Sequence, residues 1–244
     1  MEKSKYYLIV ILTVCALNHA SVSYKTAVYE AYVNNTMPVW KQVIDAMEGQ
    51  ESKSNEFFLE LINYQYGYIG WCLGNKNNKA ARHYLTLADD HLRVLEERGY
   101  ALSLVHAYKS AFYGYRIGLN KLMAPFMGPK SVEYARTAIE LDEHNPYGYI
   151  QYGNALYYMP AVFGGSKRAA LAYFKKAEEL MERDETLTRE NWNYLNLLVI
   201  IGRAYKETDQ LEMAGLYYEK ILNIEPRFLW VKNELLRELQ EGVK

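Results

Sequence analysis

The sequence predicts an all-α fold in which helical hairpins stack side by side, and three observations support this. Beyond residue 24, apolar residues recur at spacings of three and four, the period of amphipathic helices, and we find no strand-like alternation. Turn-forming residues divide this region into helices of about 12–25 residues with short connections, which favours antiparallel neighbours. Small and aromatic residues also return in a repeated order along the chain.

Composition limits the class of protein. The 244 residues include 28 Lys and Arg against 29 Asp and Glu, so the net charge is −1, and half of the residues are apolar, which excludes bulk disorder. Nucleic acids and anionic membranes both attract proteins with a basic excess, so the near-neutral charge argues against either as the main partner. Tyrosine is unusually abundant, with 24 residues against 7 Phe and 4 Trp.

The first segment, residues 1–23, has the order of a secretory signal peptide. Two lysines precede an apolar stretch from Tyr6 to Leu17, and small residues follow up to Ser23, where we expect cleavage. A retained membrane anchor is the alternative, but it requires about 18 apolar residues, and Asn18 ends the stretch earlier. The protein is therefore predicted to be exported, periplasmic or secreted, with no integral membrane segment after cleavage.

A lipoprotein signal is a further alternative for this segment. The tetrapeptide that ends at Cys15 resembles the lipoprotein box, in which that cysteine becomes acylated, although Val14 stands where Gly, Ala or Ser is usual. After cleavage at Ser23, Cys72 would be the only cysteine, which excludes an intrachain disulfide. Because Cys72 lies in an apolar run, we interpret it as a buried small hydrophobe and not as a nucleophile.

The clearest repeat unit lies in residues 191–226. There Gly202 is followed by a fixed series of small, aromatic and apolar residues: Tyr205, Ala214, Tyr218, Ile221 and Pro226. This series resembles the tetratricopeptide repeat, a 34-residue helix–turn–helix unit. Small residues at Gly202 and Ala214 allow the two helices of the hairpin to approach closely, and Pro226 suits the first turn of the next helix.

Weaker units precede this one, so that the resemblance covers about residues 54–241. One contains Gly153 and Ala170, which are 17 residues apart, whereas Gly202 and Ala214 are separated by 12; the unit upstream has the same expansion. The resemblance implies a right-handed α-solenoid of three to four hairpins in a repeat domain over residues 54–244. Residues 24–53 match no repeat and are predicted to form an N-terminal capping helix.

The expanded turn at residues 159–167 has a narrower resemblance. A proline, two glycines and a helix that begins with Lys167 are similar to the T-component proteins that accompany some bacterial TRAP transporters. Those are exported helical repeat proteins that partner a periplasmic solute-binding protein. The alternative is that Gly164 and Gly165 only let the chain reverse between two helices.

We find no catalytic motif in the sequence. Zinc-protease, nucleophile-elbow, dithiol and phosphate-loop patterns are all missing, so we predict a protein that is not an enzyme and that has no cofactor. His83 and His91 are eight residues apart on one predicted helix, too far round it to share a metal ion. No metal site is predicted.

The resemblance instead directs attention to a groove. In tetratricopeptide proteins the first helix of each repeat lines an extended concave face that binds partners. Tyrosine offers a large contact area with a polar tip, which suits binding to an extended peptide or a helix. Carried onto this chain, the groove positions that we predict to bind a partner are Tyr108, Tyr115, Tyr147, Asn154, Tyr157, Tyr158, Asn196, Arg203 and Lys206.

The predicted function is therefore that of a non-catalytic scaffold that binds a protein or peptide in a Tyr-rich concave groove. Capture of an acidic chain terminus is not predicted, because Ile150 stands where the carboxylate clamp of chaperone-binding repeats has a lysine. The alternative is an accessory component of a solute transport system that handles a small ligand with a solute-binding protein. In that case the expanded turns would close over the ligand.

Overall fold

The computed structural model describes residues 23–241, and all of the predicted signal peptide except its last residue, Ser23, lies outside them. Within this range all regular structure is helical. The helices are α1 (Tyr24–Val33), α2 (Met37–Glu48), α3 (Asn55–Gly74), α4 (Asn78–Glu97), α5 (Leu102–Leu119), α6 (Ala124–Leu141), α7 (Pro146–Tyr158), α8 (Lys167–Glu182), α9 (Glu185–Thr188), α10 (Trp192–Lys206), α11 (Leu211–Ile224) and α12 (Leu236–Glu241).

The helices pack as successive antiparallel hairpins. The pairs are α1 with α2, α3 with α4, α5 with α6, α7 with α8, and α10 with α11. The first helices also contact one another in order, α3 against α5 and α5 against α7, while α10 packs on α8. This arrangement confirms the prediction of an all-α solenoid of repeated hairpins.

Polar side chains fix where several helices begin. Ser54, Asn145 and Ser166 accept hydrogen bonds from backbone N–H groups of the first turns of α3, α7 and α8, respectively. These N–H groups have no partner inside the helix, so such caps typically contribute about 1 kcal/mol each. At α7 the cap is followed by Pro146, whose fixed φ suits the first helical position.

Residues 24–53 contain two helices where the sequence predicts one. Asn35 adopts a positive φ of 54°, and Pro38 stands in the first turn of α2, so the chain turns between α1 and α2. Asparagine tolerates this left-handed conformation better than most residues, which explains why the pattern of apolar residues alone does not reveal the break.

The two expanded turns differ in structure. The first, in the unit upstream of Gly153, is helical over residues 124–130: after a single 3-10 turn at Lys121–Met123, α6 begins at Ala124 and continues through Pro129. Pro125 stands in its first turn, where no hydrogen bond is lost. The second remains a turn, with a 3-10 segment at Ala161–Phe163 between α7 and α8.

Close helix approach at the repeat glycines leads to a stability prediction. A Cβ atom on Gly202 would lie 2.5 Å from the ring of Tyr218, which is fully buried. We therefore expect Gly202→Ala to lower the free energy of unfolding by about 1–3 kcal/mol, as measured by chemical denaturation. Gly215→Ala in the same hairpin is the matched control, since its Cβ would meet nothing closer than 3.5 Å. If the two variants lose the same free energy of unfolding, close packing against Tyr218 does not explain why position 202 is a glycine.

Candidate functional site

The first helices of the hairpins converge on a cluster of aromatic side chains at the centre of the concave face. Tyr66 on α3 lies 5.6 Å from the ring of Tyr115, 5.7 Å from that of Tyr108 and 5.9 Å from that of Trp192, measured between ring centroids. Tyr147 on α7 packs on Tyr108 at 6.0 Å. The solenoid therefore curves so strongly that its first full hairpin touches its last.

The N-terminal helices complete this cluster. The indole of Trp40 on α2 lies 5.0 Å from that of Trp192, and its Nε1 donates a hydrogen bond to the Tyr64 carbonyl oxygen at 3.0 Å. A Cβ on Gly67 would lie 2.5 Å from Trp40 and 2.7 Å from Trp192, so only glycine fits between the two indoles. We refer to Trp40, Tyr66, Tyr108, Tyr115, Tyr147 and Trp192 as the central aromatic cluster.

Polar contacts hold α1 against the last hairpin. The Tyr29 hydroxyl donates to Glu225 at 3.1 Å, and the Tyr32 hydroxyl donates to Asn196 at 3.2 Å. Arg227 forms two hydrogen bonds of 2.9 Å to the carboxylate of Glu30. Asn196, one of the predicted groove positions, is thus in contact with the chain's own N-terminal helix.

Burial changes the acid–base behaviour of the cluster. Removal from water raises the pKa of Tyr108 and Tyr115 well above the ordinary value for tyrosine, and neighbouring tyrosines add to this effect. Burial also raises the pKa of Tyr147 to about 12. These phenols therefore remain neutral at physiological pH, and their contribution is packing and hydrogen bonding.

The predicted groove residues fall into three groups. Tyr108, Tyr147 and Tyr157 are buried, so a partner would not reach most of their surface. The half-buried members are Tyr115, Asn154, Asn196 and Lys206. Tyr158 and Arg203 are exposed, and the Tyr158 side chain is 69% accessible.

Two of the half-buried members have partners of their own. Lys206 forms an ion pair of 2.9 Å with Glu238 near the C-terminus. The side-chain amide of Asn154 donates to Gln151 at 3.1 Å.

The exposed members open onto a cleft of about 650 Å³ beside the expanded turn. Its walls are the turn itself, the end of α7 with Tyr158, and the end of α10 with Arg203. The turn depends on both glycines. Gly164 has a φ of 95°, and a Cβ on Gly165 would lie 1.8 Å from the carbonyl oxygen of Met159. Side chains at these positions would distort the wall of the cleft.

A buried tyrosine lies in the wall of this cleft. The Tyr157 hydroxyl is shielded from solvent and faces the carboxylate of Glu207. Burial, together with the hydrogen bonding and charge of Glu207, raises the pKa of Tyr157, so the phenol carries its proton. Tyr157 therefore shapes the wall of the cleft, and the exposed ring of Tyr158 beside it is the aromatic surface that a partner would reach.

Charged groups frame the same cleft. Lys167 forms an ion pair of 2.6 Å with Glu207, and its ammonium lies 5.7 Å from the centroid of the Tyr157 ring. Although burial raises it, the pKa of Glu207 is held below its usual value by the hydrogen bond from Lys167. The cleft thus combines an aromatic and apolar surface with three cations, Lys167, Arg168 and Arg203, of which the sequence analysis predicted only Arg203 to bind a partner.

Among the cleft residues to which sequence reasoning gave no binding role are Met159, Lys167, Arg168 and Glu207. Lys167 and Met159 were placed in the turn but without a role in binding, and Glu207 follows a groove position by one residue. Across residues 23–241, no group of three His, Cys, Asp or Glu side chains is arranged to hold a metal ion. None of the helices in that range has the length and apolar character to cross a membrane.

Comparison with solved structures identifies the fold. The chain is similar to the HusA haemophore from Porphyromonas gingivalis, with a TM-score of 0.59 and 20% sequence identity over 75% of this chain and 90% of that one. It is also similar to a thermophilic TPR protein from Thermus thermophilus, with a TM-score of 0.53 and 14% identity over 86% and 95% of the two chains. The fold is a tetratricopeptide-like solenoid. No protein-family model and no curated protein matches the sequence.

Proposed function

We propose that this chain is an exported, non-catalytic binding protein that holds a segment of a protein partner in the cleft between Tyr158, Arg203 and the expanded turn. The observation that carries the proposal is the open cleft itself, which exposes the Tyr158 ring beside the cations Arg203 and Arg168. Because the central aromatic cluster is packed, the cleft replaces the full concave face as the binding surface.

The chemistry of the cleft defines the segment that it would take. Tyr158 offers a flat face for an apolar or aromatic side chain, and Arg203 offers a paired donor for a carboxylate. An extended segment that pairs one apolar residue with one acidic residue therefore fits the site.

A second candidate ligand is a tetrapyrrole, and the haemophore similarity favours it. A planar apolar ring with carboxylate arms would use the same features, the ring against Tyr158 and the carboxylates towards Arg203 and Arg168. The sequence predicts, as its alternative function, an accessory of a solute transport system that handles a small ligand. A tetrapyrrole would be such a ligand.

The test compares two variants for quantitative capture of proteins from an extract of the source organism. Tyr158→Ala with Arg203→Ala is expected to reduce the captured amount of a specific partner by about tenfold or more, because exposed aromatic and Arg anchors dominate binding. Tyr173→Ala with Arg183→Ala changes the same residue types away from the cleft and should retain capture. Equal capture by wild type and both variants would contradict the proposal.

A parallel titration with haem, followed by its absorbance, separates the two ligands. Saturable binding that is lost only in the Tyr158 and Arg203 variant would support the tetrapyrrole. If haem does not saturate and the protein partner depends on the cleft, the peptide ligand is supported. Circular dichroism of each variant confirms that the helices remain.

A further inference from the structure

Three turns at one edge of the solenoid carry cations and no acids. These turns join the first to the second helix of the middle three hairpins and, with the helix ends beside them, comprise residues 74–84, 117–130 and 157–170; the corresponding turn of the last hairpin contains Glu207 and Asp209. Their exposed cations away from the cleft are Lys76, Lys79, Arg82, Lys121 and Lys130. The turns at the opposite edge carry charges of both signs, with the acids Asp142, Glu143, Asp184 and Glu185 and the cations Arg98, Arg183 and Arg189. We call residues 74–84, 117–130 and 157–170 the basic edge.

These three turns lie side by side. Helices α3, α5 and α7 run in the same direction and pack in order, so their C-terminal ends face one edge of the solenoid. Arg82 contacts the carbonyl oxygen of Leu119 at 3.5 Å, and a Cβ on Gly118 would lie 3.6 Å from Leu73. The first two turns are therefore in contact, and the packing of α5 on α7 places the third turn at the same edge.

Large apolar side chains project from the same edge. Leu122 and Val162 are each 83% exposed, Phe126 is 70% exposed and Phe163 is 69% exposed. At the opposite edge the most exposed large apolar residue of these hairpins, Leu141, is 49% accessible. Clustered exposed apolar groups are unfavourable in water and mark surfaces that contact a partner or a membrane.

We propose that the basic edge docks on an anionic phospholipid bilayer. Apolar tips would enter the boundary between headgroups and acyl chains, while the lysines beside them would face lipid phosphates. Each Lys or Arg near such a surface strengthens binding about fivefold, which corresponds to about 1 kcal/mol. Nucleic acid fits less well, because Leu122 and Val162 offer no ring on which bases stack.

This inference is independent of the ligand in the cleft, and it revises the expectation drawn from net charge. The total of −1 is a sum over all surfaces of the chain, and a membrane senses only the edge that faces it, because salt screens more distant charges beyond about 8–10 Å. The absence of a basic excess in the whole chain therefore does not exclude binding to an anionic surface.

The experiment is flotation of the purified exported chain with phosphatidylcholine vesicles, with or without an added fraction of phosphatidylglycerol. Wild type is expected to float with the anionic vesicles only. Phe126→Ser with Phe163→Ser and, separately, Lys79→Glu with Lys121→Glu and Lys130→Glu should each lower the partition coefficient by about tenfold or more. Leu141→Ser with Arg189→Glu on other surfaces is the matched control and should bind like wild type.

Two outcomes would overturn the proposal. One is the absence of binding to anionic vesicles. The other is binding that needs the lysines but survives removal of both phenylalanines, which would identify a simple anion site such as one for nucleic acid. All variants carry the same N-terminus, established by mass spectrometry, so a retained leader cannot produce the difference. The exposed positions of the substitutions leave the core intact, which circular dichroism verifies.

Discussion

Replacing Trp192 with alanine is expected to lower the free energy of unfolding by about 3–5 kcal/mol, the range for removal of a buried large aromatic side chain. The indole is 5% exposed and lies against Trp40, Tyr32 and Tyr66. Its Nε1 also donates a hydrogen bond of 2.9 Å to Asn63, which would lose that donor. Chemical denaturation followed by circular dichroism measures the loss.

The expected loss in the free energy of unfolding is large because Trp192 joins parts of the chain that are far apart in sequence. It begins α10, yet it contacts α1, α2 and α3. Loss of the side chain should therefore also release the N-terminal helices, which limited proteolysis would detect as earlier cleavage between α2 and α3.

The matched control is Trp230→Ala. Trp230 is only partly buried and packs on Phe228 at 6.0 Å between ring centroids, outside the central aromatic cluster. Its removal should cost clearly less than that of Trp192 and should leave proteolysis of the N-terminal helices unchanged. Equal losses for the two variants would show that the cluster does not join the ends of the solenoid.

The sequence was sufficient to predict the hairpins because their determinants are local. Gly202, Ala214 and Tyr218 lie within one repeat, and their spacing reflects the packing of two adjacent helices. Capping residues such as Asn145 and Ser166 act on backbone groups within three residues of themselves. Helix periodicity and close approach therefore leave a direct trace in the residue order.

The docking of α1 could not be predicted in the same way. The hydrogen bond between Tyr32 and Asn196 joins residues 164 positions apart, and no spacing rule connects them. The strong curvature that brings Tyr66 to Trp192 results from small rotations added over successive hairpins. For this reason the sequence predicts which residues face the concave side, but it does not predict how far that side is filled.

The second large effect that we expect is unfolding at alkaline pH, because several of the many tyrosines are buried. Burial raises the pKa of Tyr66, and it raises that of Tyr108 and Tyr115 well above the ordinary value of 10.0. The pKa of Tyr147 is raised to about 12. In the unfolded chain these phenols would lose their protons near pH 10.

The direction of the effect follows from proton binding. Above pH 10 the folded state keeps protons on the buried phenols that the unfolded state has released, so a rise in pH favours unfolding. The free energy of unfolding keeps the full contribution of these phenols below pH 10. Above pH 10 it decreases by about 1.4 kcal/mol per pH unit for each such tyrosine. With four tyrosines in one cluster, the chain should unfold cooperatively between about pH 10 and 12. Cys72, whose pKa burial raises to about 11, contributes in the same direction.

The measurement follows tyrosinate absorbance and helical circular dichroism in one pH titration. Accessible tyrosines such as Tyr158 ionise with the helices intact, so the prediction concerns the last part of the absorbance rise, which should coincide with the loss of helical signal because the buried phenols ionise only when the helices open. Tyr147→Phe removes one of the responsible groups, so its transition should move to higher pH, whereas Tyr173→Phe outside the cluster should leave the midpoint near that of wild type. Ionisation of all tyrosines with the helices intact would contradict the packing of the central aromatic cluster, since it would mean that water reaches these phenols in the folded state.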